Sequence, residues 1–360
     1  MSGRLIRGKL ALGHAAAFAV FAALAASGRT HAQGITPQPG PPATPVVEVT
    51  DEAGRRVRVP QPVRRIVSLA PSLTETIYAL GAQDKLVGVT DYCDYPPEAL
   101  AKPKVGGIIN PSLEKVAALK PDLVLATKSI NRLETVEALE GLGIVVYATD
   151  PHSVEEVLAS TARLGELIGA REAGKALVAG LRARLAELRR LLDARPPRRV
   201  LLVVWHDPLI SVGRETYLGD ALRWAGAESI VESAQAWPHV SLEEVVRLQP
   251  DYLVFASATP EDSEHDFEAL RDRPGWRNLE AVRLRRVVVV SDAINHPSPR
   301  LVDAIFQLAH QLHSSAFAEK PTNGKPTTEN GKERRTRSQF PFSDFAFLAA
   351  SRRGPIPCSR

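Results

Sequence analysis

The sequence predicts an α/β protein of two pseudo-symmetric lobes, each on a mostly parallel sheet, joined by one long rigid helix with a ligand cleft between the lobes. Three observations carry this reading. An eleven-residue pattern occurs twice at a constant offset of 129, SLEKVAALKPD at 112–122 and SLEEVVRLQPD at 241–251, with seven positions identical. The surroundings of the two copies also match: an Arg-Arg strand (RRIVSLAPS at 64–72, RRVLLVVWH at 198–206), a helix ending in Gly-Ala (YALGA at 78–82, RWAGA at 223–227), and an apolar run directly after each repeat. Between the copies lies one helical stretch, 171–193, whose Leu177, Leu181, Leu185, Leu188 and Leu192 fall on one face. At about 1.5 Å per residue it spans roughly 34 Å, the width of a small domain.

In chain order, residues 1–32 form a signal peptide. Arg4, Arg7 and Lys9 precede an apolar run at 15–26, and Thr30-His31-Ala32 offers a small-x-small cleavage site. No Cys lies near that point, so no lipid anchor is expected. Residues 33–45 are a Pro-rich linker. The amino-terminal lobe occupies 46–168 and opens with a hairpin, VVEVTDEAGRRVRVP at 46–60, turning at Glu52-Ala53-Gly54. The linking helix fills 169–195 and stops at Pro196-Pro197. The carboxyl-terminal lobe follows at 196–313. The tail, 314–360, is rich in Lys, Arg, Thr, Asn, Gly and Pro, and is expected to be disordered. In each repeat Ser is a good N-cap, and a first-turn Glu suits the positive end of the helix dipole.

Charge removes one class of function. The chain carries +4 overall, yet residues 1–32 hold four basic residues and no acid, and 317–360 hold nine basic and four acidic. The folded body is therefore about −5, and a nucleic-acid role loses its main support. The two cysteines, Cys93 and Cys358, lie far apart and predict no native disulfide. The Gly-x-Ser-x-Gly elbow, the phosphate-binding loop, Gly-x-Gly-x-x-Gly and paired zinc-helix histidines are all missing from the sequence. An exported two-lobed chain of this kind predicts binding, not catalysis.

On these residues the chain resembles the periplasmic substrate-binding proteins of the helical-backbone class (class III), metal-chelate receptors that serve ABC importers of cobalamin, iron siderophores and haem. The resemblance covers about residues 46–313. RRIVSLAPSLTETIYALG at 64–81 is similar to the family's opening strand, loop and helix. DYCDYPPEA at 91–99 followed by VGG at 105–107 is most like the cobalamin branch. AWPHVSLEEV at 236–245 and SDAINHPSPRLVDAI at 291–305 also match. The resemblance implies a monomer in the periplasm that captures cobalamin or a related corrinoid as transported ligand, with no cofactor of its own, and hands it to an inner-membrane permease dimer. Haem or an iron-siderophore is the alternative ligand. A periplasmic enzyme acting on a tetrapyrrole or metal chelate through His206, Asp207 and Asp292 is the alternative of another class.

Candidate residues follow. Glu114 and Glu243 occupy equivalent places in the repeat, one per lobe. The resemblance assigns them to docking on basic residues of the two permease halves; the simpler reading is that each only offsets its helix dipole. Ligand candidates lie on loops after strands, where open α/β sheets bind. They are Tyr92, Tyr95 and Asn110 in the first lobe, and Trp205, His206, Trp237, Asp292 and His296 in the second. Tyr92 matches a family aromatic; where the family places a Trp, this chain has Ile108. Tyr95 could instead brace its turn, and Trp237 and His239 could anchor a loop. A large flat macrocycle wants aromatic walls and a few polar groups. No residue is expected to ligate metal directly, unless the ligand is haem, when His206 or His296 could be axial. The cleft loops present no arginine cluster of the sort an anionic siderophore would want. A continuous linking helix predicts little domain motion.

Overall fold

The structure, a computed structural model, describes residues 45–318 except 258–266 and 269. The expected signal peptide, nearly all of the expected linker and the tail beyond 318 lie outside the described residues. Strands β1 (Val46–Thr50) and β2 (Arg56–Pro60) form the antiparallel hairpin expected from the alternation. Asp51 closes its turn: one carboxylate oxygen accepts from the backbone N–H of Ala53 and Arg55, and the other pairs with the Arg55 guanidinium.

The amino-terminal sheet has four parallel strands in the order β4 (Leu86–Val89), β3 (Ile66–Ser68), β5 (Leu123–Thr127), β6 (Val146–Thr149). The carboxyl-terminal sheet repeats the arrangement with β10 (Ala227–Ser229), β7 (Arg198–Val203), β11 (Tyr252–Ser257), β12 (Val287–Ser291), again all parallel. β3, β5 and β6 are buried throughout, as strands covered on both faces must be. A small hairpin, β8 (Trp205–His206) and β9 (Leu209–Ile210), interrupts the second lobe after β7.

The internal repeat is realised in backbone detail. Helices α2 (Leu113–Ala118) and α7 (Leu242–Leu248) are capped by Ser112 and Ser241, whose hydroxyls accept from Lys115 N–H and Glu244 N–H. Lys120 and Gln249, also 129 apart, both turn the chain with left-handed φ of 46° and 48°. Asp122 accepts from the backbone N–H of Arg64 and Arg65, and Asp251 from that of Arg199. The side chains of Arg65 and Arg199 in turn donate to the last carbonyls of α2 and α7, Leu119 and Lys120 in one lobe and Leu248 and Gln249 in the other. The Arg-Arg pairs thus tie each first strand to the end of its repeat helix.

Helix α5 (Arg171–Leu192) joins the lobes. Val178, Leu181, Leu185, Leu188 and Leu192 are buried along it, and Leu177 is partly buried against both the main amino-lobe core and that of the carboxyl lobe. The outer face is not simply wet. Arg182 pairs with Glu155, Arg184 with Asp303 at 2.7 Å, and Arg189 lies over Trp224 at 4.5 Å. Nor does α5 act alone. It packs in a helical hairpin on α4 (Val154–Leu167), where Gly165 and Gly174 let the backbones approach so closely that a Cβ on Gly165 would sit 3.3 Å from Gly174 Cα. Val154, Val157 and Leu158 at the start of α4 belong to the carboxyl-lobe core, whereas Leu164 and Leu167 at its end belong to the amino-lobe core. The link is a two-helix unit shared by both cores. The folded chain also runs past 313. Ser314–Phe317 is helical, Phe317 packs on His310 with ring centroids 5.1 Å apart, and Arg195 donates to Ser315 Oγ, so the tail begins later than the composition indicated.

Candidate functional site

All strands of a parallel sheet end on one edge, so the loops after them gather there. In the amino-terminal lobe that edge carries α1 (Pro71–Ala79) after β3, the 90–96 loop after β4 and the 128–132 turn after β5. Buried Asn131 ties the turn after β5 to the start of α1 and to the loop at Ile108: its Oδ1 accepts from Thr127 N–H, and its Nδ2 donates to the carbonyls of Leu69 and Ile108. In the carboxyl-terminal lobe the edge carries the β8–β9 hairpin and the 292–300 loop. The two edges face each other, because groups on one lobe bond groups on the other.

The bond network across the cleft centres on Glu75 of α1, whose side chain is only 2 % exposed. Its Oε1 accepts from His296 Nδ1 and from an Arg300 guanidinium N–H, each at 2.8 Å, and its Oε2 accepts from Ser298 Oγ at 2.5 Å. The same guanidinium lies 3.4 Å over the Tyr95 ring, and its other end stands 3.9 Å from Asp292. Tyr217 of α6 (Tyr217–Trp224) donates to the Asn295 carbonyl at 2.5 Å and steadies the loop. Burial pushes the Glu75 carboxyl towards neutrality. The His296 hydrogen bond and charge, the Arg300 charge and the Ser298 hydroxyl outweigh that and hold its pKa below the ordinary value. Burial likewise disfavours the His296 cation, but Glu75, with help from Asp292, more than compensates and raises its pKa. Burial first, then the charge of Glu75, pushes the Tyr217 phenol up.

The other sequence-predicted residues fall as follows. Tyr92 is 44 % exposed on the 90–96 loop, and Tyr95 is 37 % exposed with one face under Arg300. Asn110 is exposed. Trp205 and Trp237 are 41 % and 48 % exposed. They sit on neighbouring segments, because Ile210, the strand partner of Trp205, bridges to His239, and Val240 N–H bonds the Leu209 carbonyl. His206 stacks on Trp205 with ring centroids 5.8 Å apart, while Trp205 donates its indole N–H to the Asp207 carbonyl. His239 is exposed on the strand-like segment that borders this hairpin. Asp292 is half-buried beside Arg300. His296 is bonded through Nδ1 to Glu75 of the opposite lobe, so in this arrangement it helps to hold the lobes together.

The structure therefore brings together Tyr95, Asp292 and His296 around the interlobe bonds, keeps Tyr92 on the same loop as Tyr95, and sets Trp205 and His206 on the hairpin beside the segment that carries Trp237. Glu75, Ser298, Arg300 and Tyr217 were missed by the sequence reading. One signal was available: a charged residue amid Leu73, Ile77 and Leu80 on a helix packed against the sheet needs a partner. Glu114 and Glu243 are exposed at the starts of α2 and α7, and Glu243 also accepts from Ser241 Oγ. Among the described residues no cluster of three or more His, Cys, Asp or Glu could hold a metal ion, and no helix is long and apolar enough to cross a membrane.

Two pseudo-equivalent lobes and a helical link define a solute-binding protein of the helical-backbone class. The chain belongs to the periplasmic binding protein family, whose model matches residues 66–293. The uncharacterized ABC transporter substrate-binding lipoprotein YvrC of Bacillus subtilis is 31% identical over 281 residues, 76% of this chain and 87% of that protein. The crystal structure of the periplasmic vitamin B12 binding protein BtuF of Vibrio cholerae matches with a TM-score of 0.63 at 30% identity, over 72% of this chain and 99% of that one. The periplasmic heme-binding protein BhuT in complex with two hemes matches with a TM-score of 0.63 at 30% identity, over 71% and 99%. By name all three are binding proteins, not enzymes.

Proposed function

We propose that this protein captures cobalamin or a related corrinoid between its lobes and delivers it to an inner-membrane ABC importer. The observation that carries the reading is the pair of aromatic surfaces at the facing sheet edges: Tyr92 and Tyr95 on one, Trp205 and Trp237 on the other, each more than a third exposed. Exposed aromatic rings on a rigid scaffold gain most from a large flat partner. The likeness to a vitamin B12 binding protein agrees with this. Glu114 and Glu243 would meet basic residues on the two permease halves, with complementary charge setting register and approach rate. The protein would work as a monomer in the periplasm, exported by its signal peptide. The relative in Bacillus subtilis is named a lipoprotein, and the first cysteine of this chain is Cys93, buried in the amino-terminal core.

Haem is the second reading. The two-heme relative is as similar as the corrinoid one, and His206 stands stacked on Trp205 at the cleft edge, where an imidazole could serve as axial ligand. A visible absorption titration with cyanocobalamin, run in parallel with haemin, separates them. Saturable one-to-one corrinoid binding with weak, non-specific haemin binding supports the first reading. A sharp Soret shift lost in His206→Ala supports the second and removes the corrinoid assignment.

A further inference from the structure

The carboxylate of Glu75 belongs to the amino-terminal lobe, yet its three side-chain partners, His296, Ser298 and Arg300, all come from the opposite lobe, more than 220 residues away. Behind the cleft the lobes are joined by the α4–α5 hairpin. On the cleft side this carboxylate supplies a second tie. Arg300 carries the effect onward, because the guanidinium that bonds Glu75 also covers one face of Tyr95, a candidate wall of the ligand site.

We propose that Glu75 is the positioning residue of the cleft: it latches the 292–300 loop to α1 and, by holding Arg300 on Tyr95, sets the separation of the lobes and the orientation of that wall without touching the ligand. A buried carboxylate tolerates only two arrangements, paired or hydrated. The lobes are therefore either latched or open to water at this point, and intermediate separations are disfavoured. The inference stands on lobe geometry and does not depend on which chelate is carried.

The charged and titratable groups facing the latch are Asp292, His296 and Arg300 on its own loop, Tyr217 on α6 and Tyr95 on the 90–96 loop. Of these, Glu75 and His296 set the pH window. The folded pKa of His296 is raised above its ordinary 6.5, so its arm of the latch is fully present below 6.5 and is lost as pH rises through the raised value. The folded pKa of Glu75 is lowered from 4.5, so its contribution is present above 4.5 and is lost as pH falls through the lowered value.

Hydrogen exchange of the ligand-free mature protein tests this across pH. In the native protein, protection of 71–79 and of 291–300 should fall together at both ends of the window. Glu75→Gln should raise exchange in both segments about tenfold or more, the scale of a lost charge-assisted bond. His296→Asn should abolish the alkaline limb and keep the acid one. Unchanged exchange in folded Glu75→Gln, or a native protein without the coupled pH response, overturns the proposal. If Glu75→Gln loosens the whole chain, Arg300→Gln decides, since it leaves the carboxylate its histidine and serine partners. Faster exchange confined to 90–96 and 291–300 supports the latch, and no change there overturns it. No ligand enters these measurements, so failure to bind cobalamin would refute the preceding reading alone.

Discussion

Trp205→Ala offers a direct test of the aromatic wall. The ring is 41 % exposed on the β8–β9 hairpin. A tryptophan carries roughly 150–250 Å² of buriable surface, which leaves about 60–100 Å² for a partner to cover. At about 25 cal/mol per Å² the loss is ~1.5–2.5 kcal/mol of binding, or a Kd raised roughly 10- to 60-fold. The cost to folding should be small, because the indole donates one hydrogen bond, to the Asp207 carbonyl at 2.8 Å, and a surface bond of that kind contributes about 1 kcal/mol. Trp205→Phe, which keeps a flat ring, should recover most of the affinity. The assay is absorption titration with cyanocobalamin, with the thermal midpoint recorded for each variant. A Kd within about twofold of the native value in a fully folded Trp205→Ala protein would refute the placement of this ring on the ligand.

Other expectations concern docking, the repeat and the link. Glu114→Ala combined with Glu243→Ala should weaken association with the permease while leaving ligand affinity intact, because both side chains are exposed at helix starts; loss of ligand binding in the pair would place them in the cleft instead. Asp122→Ala removes two bonds to backbone N–H groups and Asp251→Ala removes one. At about 1 kcal/mol per bond the first should cost about twice the second in urea unfolding, and equal losses would contradict the bond assignment. Ligand binding should change the radius of gyration little, since a continuous α5 offers no hinge loop; closure by tens of degrees in solution scattering would overturn that.

Much of the architecture was legible because its signals are local. The leucine spacing on α5, the Ser caps of α2 and α7, and the turn at Glu52–Gly54 each operate within a few residues. The repeat added long-range information, since similarity at a fixed offset implied similar lobes. The site was only half legible. Tyr92, Trp205 and Trp237 could be found as aromatics on loops after strands. Glu75 could not be matched to His296, Ser298 and Arg300, because that pairing spans more than 220 residues and no local pattern encodes it. The bond from His296 to that carboxylate was illegible for the same reason. The dual membership of α4 escaped too: its periodicity shows a buried face but not which core each half of that face enters.

That dual membership bears on how the molecule comes apart. A chain cut at the apparent lobe boundary near residue 168 would leave the carboxyl-terminal lobe without Val154, Val157 and Leu158, three side chains that complete its core. The exposed socket would be an aggregation hazard, and the amino-terminal fragment would carry an unpaired apolar helix end. Neither piece is then an autonomous folding unit, although the eye divides the protein in two. Calorimetry should accordingly show a single cooperative transition in place of two overlapping ones.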